Sequence, residues 1–342
     1  MTLLNKSRLP KLLLRLEEKT GLGHSPQPAF NLAPGDSEPW ETRLYCRRRG
    51  EYHLGSLTLR ASDPFGLFSR SRTVGEPQRL LVLPSTVDLP LFEPLSRPEM
   101  GEGAGRWLVS QLSSNVSSVR EYASGDNLKH IHWRSTAHTG KTMVKVFDPD
   151  RSREATKSVW VIADMQKSAQ AGRDDQSTEE YTITIAASLL RKYLEGGWTA
   201  GFVAAGDRYY LIPPEPGERQ LGLLMDTLAL MKASGSLSPG ELISRELGRL
   251  GNSLIILVTP SPSEGLASSL RPLVQRGAIV VAVLLDRASF GEAPGVAGAE
   301  RALLAAGIQV YWLHKGDDLA LSLDSRRLPL AKRYAPAKAP VA

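Results

Sequence analysis

The feature that most constrains the fold of this chain is a series of short apolar segments in its second half, separated by segments of helical periodicity. Residues 253–259 and 278–286 are rich in Val, Ile and Leu without polar alternation, which is typical of strands buried on both faces. Further strands are predicted at 158–163, 199–204, 208–212 and 309–313, and helices at 180–194, 218–231, 239–250, 264–275 and 300–306. This alternation predicts a mostly parallel sheet covered on both sides.

The first part of the chain instead favours antiparallel β structure. Leu12, Leu14 and Leu16 have the period of a half-buried strand, although a helix is also compatible with this run. A second alternating run covers 42–47. The pattern continues over 52–59, where we expect Gly55 to form a β-bulge that returns the following apolar side chains to the same face of the sheet. These strands predict a small antiparallel β-sandwich.

A chain of 342 residues exceeds what one core usually organises, so we expect an α+β multidomain protein. The boundaries we predict are a β-sandwich-like domain at 1–88, a linker and a chemically rich segment at 89–150, and an α/β domain at 151–326. Residues 327–342, rich in Lys, Arg, Pro and Ala, are predicted to form a flexible tail.

The net charge of +6 favours acidic partners, without choosing between an acidic protein, nucleic acid and anionic lipid. The single cysteine, Cys46, excludes an intramolecular disulfide and suits a reducing compartment. The longest apolar runs fall well short of the roughly 20 residues that span a bilayer. The first 19 residues lack the pattern of a signal peptide. We therefore expect a cytoplasmic protein.

Residues 119–148, VREYASGDNLKHIHWRSTAHTGKTMVKVFD, hold the highest density of chemically capable side chains. His130 and His132 would face the same side of a strand, and Asp126 could complete a metal-dependent hydrolytic site with them. The more common role for such groups is structural. On that interpretation, Trp133 is a buried anchor and Asp126 pairs with Arg134.

This segment and the earlier RGEYHLGSLTLRASDPFGLF at 49–68 closely resemble the bacterial family known as domain of unknown function 58. The resemblance implies a β domain followed by a domain similar to the von Willebrand factor A fold. It also implies a partnership with MoxR-type AAA+ ATPases. Members usually carry two membrane helices before the β domain, and an upstream start that restored them would place the protein at the membrane. The positions expected to form the signature and interaction segment are Arg120, Tyr122, Gly125, Asp126, His130, His132, Trp133, Arg134, Thr139, Gly140 and Lys141.

The resemblance to the A-type fold also implies a metal site built from an Asp-x-Ser-x-Ser loop and a later Asp. In this chain Asp164 and Ser168 match the loop, whereas Gln166 replaces its first serine and Lys167 adds a positive charge. Thr259 stands where the second acid is expected. Because hard divalent cations favour several oxygen ligands and charge neutralisation, we predict a degenerate site and no cofactor, with Asp164 capping the end of its strand or the following turn. A bound divalent cation is the alternative.

The basic side chains raise a second alternative, a nucleic-acid-binding module. Arg47, Arg48 and Arg49 form one cationic run, and Arg120, Lys129, Arg134, Lys141 and Lys145 form another, but acidic residues dilute the second and no ladder of aromatic side chains accompanies either. We expect a non-enzymatic interaction or adaptor protein that partners a MoxR-type AAA+ ATPase and does not bind nucleic acid. The contrary hypothesis is a metal-dependent hydrolase that uses Asp126, His130 and His132.

Overall fold

The structure, a computed structural model, describes residues 2–20, 22–24, 29–41, 43, 45–55, 57–62, 67–94, 116–123, 131–147, 157–251, 253–263, 265–292 and 298–327. The chain divides into two compact units. The first unit comprises Met1–Ser85 with the short stretches Arg173–Asp175 and Gly222–Met231. The second comprises Thr86–Gly172, Gln176–Leu221 and Lys232–Ala342.

The first unit contains antiparallel sheets, as the sequence predicts. Its strands are β1 (Thr2–Leu4), β2 (Lys11–Thr20), β3 (Gly23–His24), β4 (Ala29–Leu32), β5 (Ser37–Pro39), β6 (Gly50–Leu54), β7 (Leu57–Ser62), β8 (Ser69–Val74) and β9 (Gln78–Val82). Strands β3, β2, β7 and β8 form one sheet in that order, with β4 also paired to β2, while β6 pairs with β9 and β1 with β5. Among the described residues of these strands, Leu16 on β2 and Leu32 on β4 are buried.

Three details of the first unit differ from the sequence predictions. Arg43 and the described residues 45–47 form no strand, and Tyr45 is exposed, so alternation there reflects an extended surface segment. Gly55 is not a bulge, because its left-handed backbone (φ 88°) separates β6 and β7, which pair with different partners. The first apolar run is a strand, but Leu12 is exposed because the register of β2 against β4 shifts between Lys11 and Leu14.

From residue 116 onward the chain forms a hairpin and then a layered α/β arrangement. The strands are β10 (Val116–Glu121), β11 (Met143–Phe147), β12 (Ser158–Ala163), β13 (Thr199–Ala205), β14 (Tyr209–Glu215), β15 (Leu254–Thr259), β16 (Ile279–Leu285) and β17 (Gln309–Leu313). The helices are α1 (Trp133–Thr139), α2 (Thr178–Glu195), α3 (Glu218–Leu230), α4 (Pro239–Glu246), α5 (Leu266–Gln275), α6 (Ala299–Ala305) and the short α7 (Leu319–Ser322), which the sequence did not predict.

Six of these strands form one mixed sheet in the order β14-β13-β12-β15-β16-β17. Strand β14 is antiparallel to β13, and the other neighbours are parallel. The predicted mostly parallel sheet is therefore confirmed. When the six strands are numbered in chain order, their order across the sheet is 3-2-1-4-5-6. Open α/β sheets with a reversal of strand order generally bind ligands at the carboxyl ends of the strands.

Both faces of this sheet are covered, which explains its continuous apolar strands. Alternate residues such as Trp160, Ile162 and Ile255 pack with side chains of α4, α5 and α6 in one core. Helix α2 packs against β12, β13 and β15, and it buries eleven side chains, including Ile183 and Leu189. Because the inner strands β12, β15 and β16 face an apolar layer on both sides, they show no polar alternation.

The segment that precedes the hairpin in the second unit packs against the α/β layers. Leu89 and Phe92 are buried, and the rings of Phe92 and Tyr311 lie 5.3 Å apart. The ammonium group of Lys192 donates to the carbonyl oxygen of Leu89 at 2.6 Å. Among the helices in the described part of the chain, none combines the length and apolar character needed to cross a membrane.

Candidate functional site

The signature segment forms an antiparallel hairpin that supports a short helix. Strand β10 pairs with β11, with Arg120 opposite Val144. Ile131 makes a bridge to Val144, and both side chains are buried. The backbone N–H of Met143 donates to the hydroxyl of Thr136 at 2.9 Å, which ties helix α1 to the start of β11. The helix is thus held against the hairpin by backbone and side-chain contacts.

Both ends of helix α1 are capped by residues of the signature. At its start, the Nδ1 atom of His132 accepts a hydrogen bond from the backbone N–H of Ser135 at 3.2 Å and lies 2.7 Å from the Ser135 hydroxyl oxygen. At its end, Gly140 adopts the left-handed conformation (φ 68°), and its N–H donates to the carbonyl oxygen of Thr136 at 3.0 Å. Thr139 closes the last turn by donating to the carbonyl oxygen of Ser135. A seven-residue helix needs such caps, because short helices are marginal on their own.

Trp133 lies at the first position of this helix and is 70% exposed, so the prediction of a buried anchor is wrong. Helix α1 buries none of its side chains, because its contacts with the hairpin are made through Thr136 and the backbone. An open cleft of about 640 Å³ lies beside the helix, lined by His132, Arg134, Ser135, Ala137, His138 and Thr139. Helix α1 therefore carries both an exposed indole ring and the basic side chains that line this cleft.

The predicted hydrolytic trio is only partly visible. Asp126, His130 and Gly125 lie outside the described residues, and so does the predicted pair between Asp126 and Arg134. His132 does not lie on a strand that it could share with His130, because it is the residue that caps α1. In the described ranges there is no group of three or more His, Cys, Asp or Glu side chains that could hold a metal ion.

Several basic groups predicted at the surface have defined partners. The ammonium group of Lys141 pairs with the carboxylate of Glu121, which raises the pKa of Lys141 through the hydrogen bond and the opposite charge. The Arg120 guanidinium donates to the carbonyl oxygen of Glu121 at 3.0 Å. Tyr122 donates its backbone N–H to Thr142 across the hairpin, while its ring is exposed. In the first unit, Arg48 pairs with Asp174 at 2.9 Å. These pairings reduce the positive charge that each cationic run offers to an outside ligand.

The predicted degenerate metal site lies at the carboxyl ends of β12 and β15. Asp164, only 2% exposed, accepts a hydrogen bond from the hydroxyl of Thr259 at 2.7 Å through Oδ2. Its Oδ1 accepts from the backbone N–H of Gln166 at 3.0 Å. Asp164 therefore caps the turn after β12, as predicted. Ser168 is exposed, in the short 3-10 turn Lys167–Ala169.

Electrostatics at Asp164 do not favour a divalent cation. Burial raises the pKa of Asp164 to about 6, against smaller lowering effects of the Thr259 and Gln166 hydrogen bonds and of the Arg287 charge. Both carboxylate oxygens already accept hydrogen bonds, and the Thr259 oxygen also accepts from the N–H of Ser261 at 3.1 Å. Mg²⁺ and Ca²⁺ need several free oxygen ligands. The side chains present at this edge therefore do not fit the metal that the A-type resemblance implies.

Arg287 is the residue of this edge that the sequence interpretation missed. It follows β16, the strand next to β15, and its positive charge acts on Asp164. Its Nε atom is buried and has no hydrogen-bond partner within the described structure. The available signal was positional, since the residues just beyond a buried parallel strand lie at the ligand-binding edge of the sheet.

Comparison with known proteins matches this chain to one family. The family described as "Protein of unknown function DUF58" matches residues 118–290, about half of the chain. The uncharacterized protein YeaD of Bacillus subtilis is 24% identical over 201 residues, covering 59% of this chain and 48% of YeaD. The uncharacterized protein Rv1480 of Mycobacterium tuberculosis is 24% identical over 158 residues, covering 46% of this chain and 48% of Rv1480. The chain thus spans about half the length of these relatives.

Two solved structures are similar to about half of the chain at low identity. A von Willebrand factor type A protein from Catenulispora acidiphila has a TM-score of 0.35 and 12% identity, covering 50% of this chain and 42% of that one. Proximal thread matrix protein 1 from the mussel byssus has a TM-score of 0.38 and 11% identity, covering 49% of this chain and 46% of that one.

Proposed function

The chain belongs to the DUF58 family of proteins of unknown function, and we propose that it is a non-enzymatic protein-interaction module whose signature helix α1 presents a partner-binding surface. The observation that carries the proposal is the 70% exposed Trp133 on a helix capped at both ends. Tryptophan is costly to leave in water and is enriched among the side chains that dominate the binding energy of protein interfaces. A fixed helix also loses little conformational entropy when a partner binds.

The charge around Trp133 supports a partner with an acidic face. Arg134 and His138 line the adjoining cleft, and Arg134 has no acidic partner within the described structure. Complementary charge would speed association and orient the partner, while the indole ring would contribute most of the affinity. The interaction should therefore weaken with added salt but not vanish.

The family resemblance suggests a MoxR-type AAA+ ATPase as the partner, with this chain acting as its adaptor or client. We further propose that the α/β unit is a von Willebrand factor A-like recognition domain, that the N-terminal sheets form a sandwich within 1–88, and that the protein works in the cytoplasm. Residues 89–150 would connect the two domains at 1–88 and 151–326, with 327–342 as a flexible tail.

A binding measurement with the MoxR-type ATPase of the same organism tests the proposal. The purified chain is titrated with that ATPase in the presence of ATP and, separately, of ADP. Trp133→Ala should weaken binding about tenfold or more, as expected for a central aromatic anchor. Tyr45→Ala is the matched control, since Tyr45 is a 77% exposed aromatic residue outside both segments that resemble the family. Absence of binding with both nucleotides would exclude the ATPase as partner.

The hydrolase hypothesis makes the opposite prediction for His132. Its Nδ1 atom accepts the capping hydrogen bond, so this atom is engaged in holding the helix. If the chain hydrolysed generic phosphoester or peptide substrates and His132→Ala abolished that activity with α1 still folded, the interaction proposal would fail. DNA binding that weakened steeply with salt would instead support the nucleic-acid hypothesis.

A further inference from the structure

At the strand-end edge where the A-type resemblance implies a metal ion, the positive charge of Arg287 acts on Asp164. We infer that Arg287 replaces the cation and that this edge of the sheet binds the carboxylate of an acidic side chain without any metal. The inference deepens the interaction proposal but concerns a different surface from helix α1, so the two can fail separately.

The backbone of Arg287 is fixed while its guanidinium group is uncommitted. Asp286 accepts a hydrogen bond from the N–H of Ala288 at 3.1 Å and so caps the 3-10 turn Arg287–Phe290. The hydroxyl of Ser289 donates to the carbonyl oxygen of Asp286 at 2.6 Å, which holds the same turn. In the described part of the chain, the Arg287 guanidinium makes no hydrogen bond or ion pair, and its Nε is buried without an acceptor. A buried donor without an acceptor is costly, and an incoming oxygen ligand would remove that cost.

The hydrogen-bonding chemistry of the Arg287 guanidinium group determines which kind of ligand fits it. A guanidinium has only donors, arranged in a planar fork that matches the two oxygens of a carboxylate when Nε and one Nη donate together. Asp164 does not serve as this acceptor in the described structure: its Oδ2 accepts from Thr259 and its Oδ1 from Gln166, while the Nε of Arg287 stays without a partner. The nearby Asp286 carboxylate caps its own turn and lies 3.9 Å from the His314 ring through its other oxygen. The acceptor that suits Arg287 therefore comes from outside the described residues.

The Asp164 charge acts against this ligand and provides a discriminating variant. Arg287 lowers the pKa of Asp164 through space, so the two groups interact. By the same Coulomb interaction, the negative charge of Asp164 weakens the attraction between Arg287 and a second anion. Removing that charge should tighten carboxylate binding, whereas it would destroy a metal site.

The test is an NMR titration that follows the Nε–H resonance of Arg287, assigned by its loss in Arg287→Lys. The probe is N-acetyl-glutamate N-methylamide, and the uncharged control is the corresponding glutamine compound. The glutamate probe should shift the resonance with a saturable, millimolar Kd, and the glutamine compound should not. Asp164→Asn should tighten binding about two- to tenfold. Arg287→Lys keeps the positive charge but loses the planar fork, so it should weaken binding about tenfold. Because this variant lacks the Arg287 resonance, its binding is followed at neighbouring backbone amides.

Three results would overturn the inference. The first is an unchanged Arg287 resonance at probe concentrations up to about 50 mM, beyond any useful affinity. The second is a requirement for Mg²⁺, or loss of binding in Asp164→Asn, which would restore the metal site. The third is tighter binding of inorganic phosphate than of the glutamate probe, which would assign the site to a different anion. The wild-type titration with the glutamate and glutamine compounds decides the matter even if a variant fails to fold.

Discussion

Helix α1 and strand β12 each carry a tryptophan, and the two environments are opposite. Trp133 on α1 is 70% exposed, whereas Trp160 on β12 is 4% exposed inside the core between the sheet and its helices. The ring of Trp160 lies so close to Gly201 on β13 that a Cβ atom there would come within 2.9 Å of it. One tryptophan fills space that the neighbouring strand leaves for it, and the other meets solvent.

The difference between these regions shows what two kinds of sequence pattern indicate. Continuous apolar strands indicate a packed core, because their side chains on both faces must contact a layer of helices. The dense run of His, Trp, Arg and Lys at 119–148 instead indicates an exposed surface, since none of the side chains of α1 is buried. Chemical density in a sequence therefore does not by itself indicate an active site.

The largest expected effect tests the buried side of this comparison. Trp160→Ala should lower the free energy of unfolding by about 3–5 kcal/mol, because it removes a large buried ring and leaves a cavity beside Gly201. Urea denaturation followed by far-UV circular dichroism measures the change. A loss below about 1 kcal/mol would show that the β12 layer relaxes around the cavity and is not closely packed.

Asp164 provides the second prediction, through its pH dependence. The pKa of Asp164 rises from 3.8 to about 6 on folding. The folded state therefore holds this proton more tightly, so the contribution of Asp164 to stability is most favourable below pH 4 and is lost as pH rises through 6. Asp164→Asn should raise the free energy of unfolding at pH 7.5 by about 1–3 kcal/mol.

The control for this prediction is Asp286→Asn at the end of the next strand. Asp286 is less buried and caps a turn, a role that asparagine also fills, so the variant should change stability by less than about 0.5 kcal/mol. Urea denaturation of both variants at pH 4.5 and 7.5 makes the comparison. If Asp164→Asn destabilised the protein at pH 7.5, its charged hydrogen bonds to Thr259 and Gln166 would outweigh the cost of burial.

Much of the α/β fold could be predicted from the sequence, because parallel strands covered on both faces leave a strong apolar signature. The predicted strand at 158–163 agrees with the observed β12, and the predicted strand at 309–313 agrees with β17. The N-terminal strands were harder to predict. Their alternation is weak, and the separation of β6 from β7 depends on the left-handed Gly55, whose partners in space the local pattern does not encode.

The positions of the candidate site residues could be predicted, but the burial and the partners of their side chains could not. The resemblance to the A-type fold indicated Asp164 and Thr259, and the structure brings the Thr259 hydroxyl to 2.7 Å from the Asp164 carboxylate. It gave no indication that Arg287 would act on the same carboxylate, because that depends on the adjacency of β15 and β16. The exposure of Trp133 was also not predicted, since the sequence around an aromatic residue at the start of a short helix does not distinguish a buried from an exposed side chain.

The third prediction concerns the cap of helix α1. His132→Ala removes the Nδ1 acceptor for the Ser135 N–H and should destabilise the helix by about 0.5–2 kcal/mol, the usual cost of losing an N-cap. Hydrogen–deuterium exchange at the amides of Ser135 and Thr136 measures the local effect. His132→Asn should restore most of the protection, because asparagine is a good N-cap. Equal exchange in all three proteins would show that the cap contributes nothing.

The smallest expected effect on stability completes the comparison between the two tryptophans. Trp133→Ala should change the free energy of unfolding by less than about 0.5 kcal/mol, because an exposed ring loses little on removal. Urea denaturation of this variant beside Trp160→Ala measures both tryptophans in one experiment. A cost near that of Trp160→Ala would mean that Trp133 is packed in solution. A small cost combined with weaker partner binding would separate recognition from folding, as expected if α1 is a binding surface.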